Sequence, residues 1–115
     1  MPEATATFEV RREGLAAIVD IRGDVTAGSE VVLMSAYEET GDARAIILNF
    51  TDLAYMNSGG IGLLARARAT GLEVRAYGLT PHYQEIFEIT RLADFLAINP
   101  DEDSAVRGAE GSRDA

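Results

Sequence analysis

The residues best suited to chemistry stand in one run, Tyr55-Met56-Asn57-Ser58-Gly59-Gly60-Ile61-Gly62-Leu63-Leu64. It holds one hydroxyl, a short amide side chain before it and three glycines after it. Asparagine is a strong helix N-cap, because its side chain accepts from backbone N–H groups of the first turn. With Asn57 as cap, Ser58 falls at the first helical position. A helix N-terminus carries unpaired N–H groups and partial positive charge, so an anion bound or attached there is favoured. Phosphorylation of Ser58 would place about −1.5 to −2 charges at that end. The helix dipole tolerates such a group, whereas a partner seated over it meets bulk and charge. Gly59 and Gly60 leave little bulk beside the hydroxyl, so another protein's active site could approach closely. The same glycines also permit tight helix-on-sheet packing, and residue types alone leave both readings open.

Other chemistries fit less well. Gly60-Ile61-Gly62-Leu63-Leu64-Ala65 matches G-x-G-x-x-A after a strand, the pattern of a dinucleotide site. The strand-to-helix connection is too long for the usual tight turn, however. The next strand ends at Tyr77-Gly78 without an acid for a ribose hydroxyl, and the chain is too short for both halves of that fold. A serine hydrolase would pair Ser58 with His82, yet no G-x-S-x-G elbow is present. His82 falls in the first turn of its own helix and reads as an ordinary surface or cap residue. Asp24 and Asp52 both fall near strand ends, where acids commonly satisfy loop amides. These residues describe a chain that is acted upon rather than one that catalyses.

The elements that must position Ser58 follow from the pattern on either side. Ala45-Ile46-Ile47-Leu48 is an apolar run typical of a strand buried on both faces. It predicts a strand from 44 to 50, a connection from Thr51 to Met56 and a helix from 58 to 70, stopped at Gly71. Ahead of it, residues 6 to 22 read as a hairpin, with Arg11 to Gly14 as a solvated polar turn and Leu15 to Ile21 as the second strand. Gly23-Asp24-Val25-Thr26 breaks that strand. Ser29 caps a helix to about Thr40 that buries Val32, Leu33, Ala36 and Tyr37, and Gly41-Asp42 ends it. After the central helix, Glu73 to Tyr77 is a strand closed by Gly78. Thr80-Pro81 starts a further helix with Ile86, Phe87 and Ile89 on its buried side. Phe95 to Ile98 is a last short strand, Asp101 to Arg107 a terminal helix, and Gly108 to Ala115 a frayed polar tail. Strands alternating with helices after a hairpin predict an α/β fold. Its sheet is mixed but mostly parallel, with right-handed crossovers and about four flanking helices.

At 115 residues the chain makes one domain, 1–115, with its core at about 6–107. It has no cysteine, so disulfides and thiolate metal sites are excluded, and a single histidine cannot build a multi-histidine metal site. No apolar stretch is long enough to span a membrane. The beginning Met1-Pro2-Glu3-Ala4-Thr5 lacks the basic and apolar regions of a secretory signal, which makes the cytoplasm the expected location. With 19 acidic residues against 10 basic, the formal net charge is −9. That balance repels phosphate backbones and argues against nucleic acid as a partner. It suits a basic protein partner better.

Three stretches together resemble the STAS domains of bacterial anti-sigma factor antagonists. That family carries D-L-x-x-[FY]-M-D-S-S-G-L-G after a strand, and Asp52-Leu53-Ala54-Tyr55-Met56-Asn57-Ser58-Gly59-Gly60-Ile61-Gly62 is similar to it. Gly23-Asp24-Val25 is similar to its G-[ED]-L. Leu79-Thr80-Pro81 with Phe87-Glu88-Ile89-Thr90-Arg91-Leu92 is similar to its S-P-x-x-x-x-x-[FL]-x-x-[ST]-G-L. The likeness runs in order over about residues 6 to 107. It implies partner switching. The unphosphorylated antagonist binds an anti-sigma factor that is a histidine-kinase-like ATPase and serine kinase, which frees the sigma factor. Phosphorylation of the serine matching Ser58 releases the antagonist, and a phosphatase reverses the change. ATP and magnesium belong to the kinase, so no cofactor is expected in this chain. Asp24, Thr26, Tyr55, Met56, Asn57, Ser58, Gly59, Gly60, Ile61 and Gly62 form the implied docking surface. Two other functions compete with this one: a STAS scaffold subunit of a sensory or transport assembly that binds without phosphorylation, and a small-molecule or nucleotide-binding module using the helix N-terminus at Ser58. Three departures stand out. Asn57 replaces an aspartate, Gly59 a second serine, and Arg91 a glycine whose role reads as packing.

Overall fold

The computed structural model describes residues 6–41, 43–57, 59–60, 73–94 and 96–112. Five strands form one sheet in chain order, β1 (Thr7–Glu13), β2 (Ala16–Val25), β3 (Ala45–Met56), β4 (Glu73–Tyr77) and β5 (Ala97–Asn99). The β1–β2 pair is antiparallel and the other three pairs are parallel. Three α-helices occur among the described residues: α1 (Glu30–Glu39), α2 (Pro81–Ile89) and α3 (Glu102–Ser112). This is the mixed, mostly parallel α/β sheet expected from the alternation of elements. The helix expected over 58–70 and its stop at Gly71 lie outside the described residues, apart from Gly59 and Gly60, which are helical.

Side-chain alternation divides the sheet into two buried faces. Val19, Ile21, Ile46, Leu48, Phe50, Val74 and Ala76 face one way and pack with Leu33 and Ala36 of α1 and Phe87 of α2. The rings of Phe50 and Phe87 meet edge to face at 6.0 Å, so α2 is anchored directly on β3. Ala16, Ile18, Ala45, Ile47 and Tyr77 face the other way, against Ala105 and Ala109 of α3. Burial on both faces explains why β2 and β3 open as unbroken apolar runs.

Several boundaries differ from expectation. The hairpin turn is Gly14-Leu15, with Gly14 at φ 61, so Arg11 and Arg12 belong to β1 and not to a solvated turn. β2 does not break at Gly23. It continues to Val25 through a register irregularity, with Gly23 at φ 88 absorbing the distortion. β3 likewise continues to Met56 where a connection was expected, because the prolonged β2 lies beside it up to the pair Val25–Met56. Val32 and Ile89 are 41% and 72% exposed and lie off the buried faces assigned to them. The last strand sits at Ala97–Asn99, and Phe95 is outside the described residues. α3 extends to Ser112 and buries Ala109, so the supposed tail is helical at least that far. No helix among the described residues is long and apolar enough to cross a membrane.

Two helices end alike. Gly41 follows α1 at φ 59 and donates its N–H to the Glu38 carbonyl at 3.3 Å. Arg91 follows α2 at φ 67 and donates to the Glu88 carbonyl at 3.1 Å. Both are left-handed C-caps, for which glycine is the usual residue.

Candidate functional site

The ends of β2 and β3 are brought side by side, and the candidate residues collect there. Asp24 lies opposite Tyr55 and Val25 opposite Met56. Tyr55 is half exposed, while its neighbour Met56 is 3% exposed and belongs to the core. Strand alternation therefore leaves Tyr55 on the surface and turns the Met56 side chain into the core. Thr26 follows β2 and opens a 3-10 turn. Its hydroxyl accepts from the Gly28 N–H at 3.2 Å, and its own N–H is taken by the Ser29 hydroxyl at 3.1 Å. Ser29 thus closes this turn and makes no side-chain cap bond to α1.

Asn57 behaves as the residue types suggested. Its side-chain oxygen accepts from the Gly60 N–H at 2.9 Å, a first-turn capping bond, and its N–H reaches the Val25 carbonyl at 3.3 Å. Packing accounts for Gly59 and Gly60. A Cβ on Gly60 would lie 2.3 Å from the Val25 carbonyl oxygen, and one on Gly59 would lie 3.0 Å from the Ala27 Cβ. Gly60 is buried. The helix start is therefore pressed against the end of β2 and the turn that follows it. At Gly60 the missing side chain serves that contact. Ser58, Ile61 and Gly62 lie outside the described residues.

One contributor carried no sequence signal. The Tyr83 hydroxyl, from α2, accepts the Met56 N–H at 2.9 Å. Met56 is buried, and an unmet buried donor would cost about 1–3 kcal/mol. Residues 27 apart in the chain give no pattern that predicts such a bond. His82, whose pairing with Ser58 was considered, is exposed and packs its ring against Tyr83 at 5.4 Å. Asp52 pairs with Arg22 at 3.5 Å, and the register sets Asp24 opposite Tyr55 and not opposite Asp52.

Comparison with known families places the chain. The family model for the STAS domain matches residues 7–105. The chain belongs to the STAS domain family. Solved STAS-like structures share its fold at low identity. An anti-sigma factor antagonist from Mycobacterium paratuberculosis superposes with a TM-score of 0.78 at 16% identity, covering 92% of this chain and 95% of the other. SpoIIAA in its unphosphorylated form gives 0.71 at 20% identity, covering 91% and 97%. The phosphorylated form of SpoIIAA from Bacillus gives 0.59 at 21% identity, covering 88% and 98%. No protein of curated function matches the sequence. In this STAS domain Asp52 to Met56 thus end the third strand, and Gly59 and Gly60 are helical.

Proposed function

We propose that this STAS domain is an anti-sigma factor antagonist that works by partner switching, with Ser58 as its phosphorylation site. The observation that supports the reading is the Asn57 side chain accepting from the Gly60 N–H just past the end of β3, the capping bond expected from the residue types of the signature. Unphosphorylated, the domain docks a serine kinase of the histidine-kinase-like ATPase type through Tyr55, Asp24 and the turn at Thr26. The kinase supplies ATP and magnesium, the Ser58 hydroxyl takes the phosphoryl group, and this chain is substrate and ligand, not catalyst. A contact fitted around a neutral hydroxyl must then hold about −1.5 to −2 charges beside the nucleotide phosphates of the kinase. Like charges in a desolvated contact are costly, and the complex dissociates. The fold tolerates the change, because the phosphate meets the positive end of a helix. A phosphatase resets the switch. The net charge of −9 suits a basic docking face on the partner.

Incubation with the cognate kinase and ATP should add one phosphate, read by mass spectrometry, and Ser58→Ala should add none. Ser58→Asp should weaken kinase binding at least tenfold (about 1.4 kcal/mol) while the thermal midpoint stays nearly constant. Tight binding of the wild-type chain without phosphate uptake would replace the switch by a constitutive scaffold.

A further inference from the structure

β4 accompanies β3 only as far as the pair Asn49–Tyr77. There the chain turns off at Gly78, φ 85, passing so close to Thr51 that a Cβ would lie 2.6 Å from the Thr51 hydroxyl and 2.7 Å from its nitrogen. β3 runs on to Met56 with β2 beside it and no β4. The Met56 N–H, at the end of this overhang, is met instead by the phenol of Tyr83 from the first turn of α2. The Tyr83 ring is partly buried and packs against the main core, so the oxygen is held in place from behind. Met56 is immediately followed by Asn57, whose N–H is bound to β2 and whose side chain caps Gly60.

We infer that Tyr83 is a positioning residue for the phosphorylation junction, an inference that rests on Ser58 being the acceptor. Its hydroxyl sets where β3 stops, and so where Asn57 begins the helix and the acceptor serine is presented. Tyr83 acts through the Met56 backbone, and it ties the placement of the acceptor to the seating of α2 on Phe50. Phosphoryl transfer is sensitive to such placement, since misplacement by about 1 Å can cost on the order of 100-fold in rate.

Tyr83→Phe removes one oxygen and keeps the ring. Three readouts test it: exchange of the Met56 amide by NMR, the thermal midpoint, and steady-state phosphorylation by the cognate kinase. The expected result is Met56 exchange faster by about tenfold or more, a kcat lower by about tenfold, and a KM within about twofold of wild type. Thr90→Ala serves as the control, because it removes a hydroxyl bond to the Ile86 carbonyl at the far end of the same helix. It should leave Met56 exchange and kcat unchanged even if it lowers the midpoint equally. Unchanged Met56 exchange in Tyr83→Phe overturns the inference, as does faster exchange with wild-type kcat. If the wild-type chain accepts no phosphate, the Ser58 reading fails by itself. The exchange measurement then decides whether Tyr83 anchors the junction.

Discussion

Arg91 shows how a single position carries information that its residue type conceals. It stands where the family pattern has glycine, and it is the only non-glycine with positive φ among the described residues. A side chain there meets the left-handed steric penalty, about 1 kcal/mol or more. Leu92, next in the chain, is 2% exposed and shares the main core with Phe87, so the turn cannot relax outward without unpacking both. The ion pair of Arg91 with Asp94 at 3.0 Å is exposed on both sides and offsets little of this. Arg91→Gly should therefore stabilise the domain by about 0.5–1 kcal/mol, measured by urea unfolding at constant m-value. A loss of stability would mean that the pair with Asp94 outweighs the backbone strain.

At the scale of elements, the contact between the end of β2 and the start of the following helix sets the site. Gly59 and Gly60 are chemically identical and sit next to each other, yet their surroundings differ. The nearest atom to a Cβ on Gly60 is a backbone oxygen at 2.3 Å, whereas on Gly59 it is an alanine methyl at 3.0 Å. A 2.3 Å approach can be relieved only by moving the strand, whereas at 3.0–3.1 Å a shift of a few tenths of an ångström at Ala27 suffices. Gly60→Ala should cost about 2–3 kcal/mol and displace the helix start, whereas Gly59→Ala should cost about 1 kcal/mol or less. Thermal unfolding with an NMR spectrum of the Asn57 and Gly60 amides separates the two. Equal costs would remove the argument for close packing at Gly60. The cap itself was legible in the sequence, since an asparagine before a glycine-rich turn needs only local chemistry. The contact was not legible, because it depends on β2 outrunning its apparent end at Gly23.

Across the whole molecule, one polar cluster links β1, β2, β3, β4 and α3. Arg11 donates to both oxygens of Asp20, at 2.6 and 2.8 Å, and to Glu102 at 2.9 Å. Asn49 donates to Asp20 at 2.7 Å, and the Tyr77 hydroxyl donates to Glu102 at 2.7 Å. The Arg11 guanidinium is the main reason that both Asp20 and Glu102 are held below the usual carboxylate range, with partial burial opposing it. Burial first, and then the bond to Glu102, pushes the Tyr77 phenol up. A carboxylate with a depressed native pKa adds stability that is complete above its unfolded value, about 4, and is lost as pH falls toward the native value. The wild-type chain should therefore lose stability progressively as pH falls below about 5. Arg11→Met should be less stable by about 1–2 kcal/mol at pH 7, since Arg11 is itself 42% exposed, and should show a shallower acid limb. Parallel acid limbs would place the acid sensitivity in other carboxylates. With the hairpin turn read as Arg11 to Gly14, this cluster was invisible. Moving the turn to Gly14-Leu15 puts Arg11 on a strand facing Asp20.

The sequence by itself determined the α/β class, the helix start at Thr80-Pro81, the Asn57 cap and the serine that follows it. Capping and turn chemistry act within about four residues, and periodicity needs only one element at a time. The tertiary structure alone decided that β2 and β3 run on together to Val25 and Met56. It also placed Met56 inside and Tyr55 outside, and it supplied the Tyr83 oxygen that closes the last donor of β3. Each of these depends on which chain lies alongside and where that chain leaves, which no local pattern encodes.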